Sequence, residues 1–109
     1  MRLDPFTSAR AWAWLFVGLA ALAPAQADEA LARAKGCMGC HAINQKIVGP
    51  SFAAVAERYA KTPAAPAMVA RNIVAGWKGA WGDVPMPAQD HVTPAEANAL
   101  ARWVLMQRP

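Results

Sequence analysis

Several protein classes are excluded by what this chain has little of. It contains only two cysteines, Cys37 and Cys40, and a disulfide between them would close so small a loop that the unfolded chain would be little restricted. The uncharged stretch 11–23 runs to 13 residues, short of the ~20 that a membrane-spanning helix wants. No segment alternates apolar and polar residues in the way that predicts a sheet. Internal repeats and low-complexity tails are absent too. Lys and Arg number 11 against 7 Asp and Glu, a net +4. No basic stripe with interleaved aromatics accompanies that excess, so nucleic acid is not an expected partner.

What is present begins with a leader. Arg2 and Arg10 give a positive start, diluted by Asp4, and the apolar stretch AWAWLFVGLAALA follows. Pro24 breaks it, and Ala25-Gln26-Ala27 forms a small-x-small cleavage signal. Residues 1–27 are therefore predicted to be a secretory signal peptide removed after Ala27, rather than an uncleaved anchor. No stable membrane insertion is expected after cleavage. The mature domain, 28–109, has 82 residues with nine basic and six acidic side chains, a net +3. A domain this small buries a limited core, and many such domains need a staple such as a disulfide, metal or cofactor.

The mature chain predicts four short helices and an all-α fold. Asp28-Glu29 favours a first helix through the helix dipole, and Gly36 stops it. Phe52, Val55, Ala56 and Tyr59 line one face of a second helix beginning near Pro50. Val69, Ala70, Ile73 and Val74 repeat that spacing after Pro66, with Gly76 as the stop. Thr93-Pro94-Ala95-Glu96 combines an N-cap, a proline at the first helical position and a capping-box glutamate. Ala97, Leu100, Ala101 and Val104 form the buried stripe of that last helix. Residues 76–90, GWKGAWGDVPMPAQD, read as a stiff, irregular Gly/Pro-rich loop.

The chemistry concentrates in Gly36-Cys37-Met38-Gly39-Cys40-His41. A thioredoxin-like pair would want a strand before it and a βαβ context, and neither is present. A zinc site needs four ligands. Cys37, Cys40, His41 and His91 can be assembled on paper, but no second closely spaced pair supports them. Covalent attachment of haem c accounts for every residue of the motif. Two thiols add across the two vinyl groups of the porphyrin, and the following histidine, His41, ligates the iron. Thioether bonds cannot be lost to dilution, which suits an exported protein.

The chain resembles class I cytochrome c, of the small bacterial periplasmic monohaem type. KGCMGCHAI (35–43), VGPSF (48–52), GAWGDVPMP (79–87) and EANALARWVL (96–105) carry the resemblance, in order and at similar intervals. It implies a cytochrome c fold wrapped around one haem, and His41 and Met86 as axial ligands of the iron. Pro85 and Pro87 flank Met86 and restrict its backbone. Met38 sits between the cysteines and cannot reach the far face. Met68 and Met106 lie on predicted helices as flexible core filler, and His91 is the alternative ligand. By the same resemblance the Pro50 carbonyl accepts the other N–H of His41, and the Trp81 indole reaches a haem propionate. The family's basic partner for a propionate is replaced here by Asn72, with Arg71 one place earlier. Phe52, Tyr59, Ile73 and Trp103 are expected to wall the haem.

The resemblance implies a soluble periplasmic electron carrier, not an enzyme, working as a monomer. Redox partners such as a terminal oxidase, nitrite reductase, peroxidase or dehydrogenase would meet it at a rim containing Lys35, Lys46 and Lys78. The alternatives are a haem subunit of a larger complex and a haem enzyme or sensor with an open sixth position.

Overall fold

A computed structural model describes Gly18 and residues 26–108. Apart from Gly18 and its last two residues, the predicted leader lies outside the described residues. The elements run α1 (Gln26–Ala34), a 3₁₀ turn (Cys37–Gly39), α2 (Phe52–Arg58), α3 (Ala65–Ala75), β1 (Trp77–Gly79), β2 (Gly82–Met86) and α4 (Pro94–Leu105). The four predicted helices are all present.

Each helix is bounded by the chemistry that its sequence carries. Asp28 and Glu29 occupy the first turn of α1 and Arg33 the last, matching side-chain charge to the helix dipole. Gly36 follows with φ 78°, a left-handed geometry in which glycine has no Cβ to clash. At α2 the Ser51 hydroxyl accepts the Ala54 N–H at 3.0 Å. At α4 both halves of the capping box form: Glu96 N–H donates to Thr93 Oγ1 at 3.2 Å and Thr93 N–H to Glu96 Oε1 at 3.0 Å. Such caps satisfy backbone donors that a helix start leaves over.

α4 is the hub, packing against α1, α2 and α3. Its buried face is Ala97, Leu100, Ala101, Trp103 and Val104, met by Ala32 of α1, Phe52 and Val55 of α2, and Val69, Ala70 and Ile73 of α3. Ala32 and Ala101 are completely covered. Their small side chains let backbones approach, while Leu100 fills the centre and contributes about 1.5–3 kcal/mol of burial.

Two expectations need correction. The segment read as an irregular loop contains an antiparallel hairpin, with Trp77 opposite Met86 and Gly79 opposite Gly82. Its strands expose nearly every residue, so no apolar alternation announces it, and positive φ values at Gly79 and Gly82 bring it about instead. Met68 packs half-buried against the core as expected, but Met106 stands at the C-cap of α4 and is exposed. It has stepped off the last turn, where no neighbouring helix covers it.

Candidate functional site

The 3₁₀ turn that carries the cysteines is held by its own backbone. Cys40 and His41 N–H both donate to the Cys37 carbonyl, at 3.2 and 3.0 Å. The following strand-like segment is tied to the start of α2, with Gly49 N–H on the Cys40 carbonyl at 2.7 Å and Phe52 N–H on that of Ala42 at 2.9 Å. These bonds place His41 over α2. Its ring stacks on Phe52, with centroids 5.1 Å apart and planes 21° from parallel, and Phe52 in turn meets the edge of Trp103 at 5.2 Å.

His41 Nδ1 lies 2.7 Å from the Pro50 carbonyl oxygen. A carbonyl can only accept, so Nδ1 carries a proton, and in the neutral imidazole Nε2 then keeps the lone pair. That is the tautomer a metal-ligating histidine needs, with the second nitrogen engaged by an acceptor that orients the ring. Gly49 lies directly against the imidazole. A Cβ there would sit 2.5 Å from Cε1 and 2.8 Å from Nδ1.

Beside His41 opens a cavity of about 270 Å³. Cys37, Cys40, His41, Pro50, Trp81 and Met86, the six residues singled out from sequence, all line it. Phe52, Tyr59, Val69, Ile73, Leu100 and Trp103 supply apolar wall. Asn72 lines it as well. Arg71 is outside the lining and exposed. His91, the alternative ligand, is also outside the lining, and its Nε2 is bonded to the Lys35 carbonyl at 2.9 Å. Of the three rim lysines, Lys46 borders the cavity and Lys78 is exposed on β1. Lys35 instead pairs with Glu96 Oε2 at 3.0 Å.

No disulfide joins the two cysteines. Cys40 is exposed, whereas burial pushes the half-buried Cys37 thiol above its ordinary value, against a smaller lowering by a backbone hydrogen bond. Met86 ends β2, where its backbone passes Gly76. A Cβ on Gly76 would lie 2.7 Å from the Met86 carbonyl oxygen and 2.8 Å from Ala88 N. The Trp81 ring meets Tyr59 edge-on at 6.4 Å. Above it stands the Arg58 guanidinium, 4.7 Å from the ring centroid, which also donates to the Ala80 carbonyl.

Arg58, Gly49 and Gly76 are the residues that sequence reading missed at this site. Gly49 directly precedes Pro50, and the sequence marks Gly76 only as a helix stop. Nothing local marked Arg58 for this site, since Ala80 lies 22 residues away and Trp81 next to it. The donor set suits haem: an imidazole in the ligating tautomer, a thioether and two thiols around one apolar cavity is the chemistry of covalent haem ligation.

All-α helices around such a cavity define a small haem protein. The match to known proteins then gives the family. The model of the family described as Cytochrome c matches residues 26–107, and the chain belongs to that family. It is 49% identical over 89 residues to cytochrome c-552 of Hydrogenobacter thermophilus, covering 82% of this chain and 88% of that one. It is 44% identical over 84 residues to cytochrome c-551 of Pseudomonas aeruginosa, covering 77% and 80%. The crystal structure of wild-type Nitrosomonas europaea cytochrome c552 superposes with a TM-score of 0.72 at 38% identity, covering 73% of this chain and 99% of that one. The fold is the cytochrome c fold, the cofactor is one covalently bound c-type haem with its iron, and the role is electron transfer between redox partners rather than catalysis.

Proposed function

We propose that Cys37 and Cys40 would form the two thioether bonds to the haem and that His41 and Met86 would ligate its iron. The observation that carries this reading is that Cys37, Cys40, His41 and Met86 all line one cavity. When bound, the haem takes up and gives back one electron. The chain's own residues set the conditions. Pro50 holds the Nδ1 proton, so the Nε2 lone pair is available and the imidazole cannot rotate freely. The Met86 thioether is a soft ligand that favours the ferrous state, and the apolar walls penalise the extra charge of the ferric state, so a high potential follows. Trp81 is the hydrogen-bond donor to a propionate. With both His41 and Met86 holding the iron, no position would be left there for a substrate.

The protein works in the periplasm as a soluble monomer, 28–109, after residues 1–27 are removed. The basic start, the apolar stretch and the Ala25-Gln26-Ala27 signal support this. Among the described residues no helix is long and apolar enough to cross a membrane. Partners such as a terminal oxidase, nitrite reductase, peroxidase or dehydrogenase dock weakly, over less than ~1,200 Å². They meet the cavity mouth, where Val48, Trp77 and Val84 are about half or more exposed and Lys46 and Lys78 give mild electrostatic steering.

Absorption spectra of the purified protein test the ligands. A low-spin c-type spectrum with the weak far-red methionine-to-ferric band is expected, and Met86→Ala should abolish that band. A high-spin ferric wild type, or a band that survives Met86→Ala, would overturn the assignment.

A further inference from the structure

Lys35 and His91 are 56 residues apart in sequence and exchange two hydrogen bonds. Lys35 Nζ donates to the His91 carbonyl at 3.2 Å, and His91 Nε2 donates to the Lys35 carbonyl at 2.9 Å. The same ammonium lies 3.0 Å from Glu96 Oε2, and Glu96 completes the capping box of α4. The three contacts join the end of α1 to the segment entering α4.

The location gives this clasp its meaning. Lys35 precedes Cys37 by two residues, and His91 follows Met86 by five. On the near side Met86 is held by its pairing with Trp77 and by the close passage past Gly76. On the far side, residues 87–92 are held by Gln89 N–H on the Ile73 carbonyl at 3.1 Å, by the buried Val92 and by His91. The His91 side chain is 52% exposed, so it contributes little packing. Its substantive contact is the bond to Lys35; Asp90 Oδ1 is more distant, 3.8 Å from Nδ1.

We propose that His91 is a positioning residue for Met86. By gripping the Lys35 carbonyl it restrains residues 87–92 against the segment that carries the thiols, and so slows departure of the Met86 sulfur from the iron. The proposal rests on Met86 being the sixth ligand. Gln89, Val92 and the Lys35 Nζ bond to the His91 backbone carbonyl still anchor the segment without the His91 side chain, so loss of the one bond made by Nε2 raises the open population about two- to tenfold, the factor carried by one net hydrogen bond.

Cyanide capture by the oxidised, haem-loaded protein reads this opening, because cyanide binds only after the sulfur leaves. His91→Ala should capture cyanide about two- to tenfold faster than wild type. His91→Gln, which can present an amide N–H where Nε2 stood, should return the rate toward the wild-type value. Gln107→Ala removes a bond of the same kind, from Gln107 Nε2 to the Trp103 carbonyl at 2.9 Å, at the far end of α4, and should leave the rate unchanged. His91→Asn, too short to span the clasp, replaces the alanine variant if that one fails to fold. A wild-type rate in both His91→Ala and His91→Asn, or equal acceleration by Gln107→Ala, overturns the proposal. A wild type as fast as Met86→Ala would instead overturn the ligand assignment.

Discussion

Replacing Gly76 by alanine perturbs the Met86 end of the site without touching the methionine. Gly76 has φ 79° and ψ 165°, a region that residues with a Cβ rarely enter and that costs on the order of 1–3 kcal/mol when forced. The new Cβ would also lie 2.7 Å from the Met86 carbonyl oxygen and 2.8 Å from Ala88 N. Both are backbone atoms, so no rotamer change relieves the clash, and overpacking adds roughly 1–3 kcal/mol. The sum, about 2–6 kcal/mol, is a large part of what a domain of this size has in hand at ~0.05–0.15 kcal/mol per residue. Relief by moving residues 86–88 would carry Met86 with it. Guanidinium unfolding followed by far-UV circular dichroism and the ferric far-red band should both respond, with a lower midpoint and a weaker band. Gly39→Ala is the control, since a Cβ there meets nothing within 4 Å and φ is ordinary. If Gly76→Ala matched Gly39→Ala in both measurements, the steric argument would be wrong.

Gly49→Ala should act on the other ligand. Its Cβ would press on an imidazole already backed by Phe52 and held by Pro50, and a loss of about 1–3 kcal/mol should appear in chemical unfolding together with an altered potential. Glu96 gives a pH dependence. The Thr93 backbone N–H, and then Lys35, hold its carboxyl below the usual range. A depressed folded value means stability that is fully present above the ordinary carboxylate pKa and lost as pH falls through the folded one. The melting-temperature gap between wild type and Glu96→Gln should therefore be constant near neutrality and close in acid; a gap that widened in acid would contradict this. Arg58→Gln removes the guanidinium from the Trp81 ring and should cost about 0.5–1 kcal/mol at this exposed site, read by thermal unfolding, with Lys61→Gln as the comparison.

How much of this was legible beforehand follows from the range of each interaction. The caps at Ser51 and Thr93 and the stops at Gly36 and Gly76 are set by neighbours a few residues away, so the helices could be read from adjacent letters. The grouping of Cys37, Cys40 and His41 could be read for the same reason, because the three share one short turn. That Met86 lines the same cavity needed more to foresee, namely the resemblance and its two flanking prolines. The hairpin went unread because its strands are exposed and carry no apolar period. Lys35 looked like a rim lysine until its partners appeared, one of them 56 residues away. Arg58 could not be linked to Trp81 for a similar reason.

The order of residues alone determined a helical domain with two thiols and a histidine in one turn, since each of those features depends on local spacing and backbone preference. Only the tertiary structure decided which nitrogen of His41 is left free, which backbone Gly76 must let pass, and that His91 grips Lys35 rather than facing the cavity. Those outcomes depend on distances between segments far apart in the chain, and such distances exist only once α4 has drawn the other helices around the core.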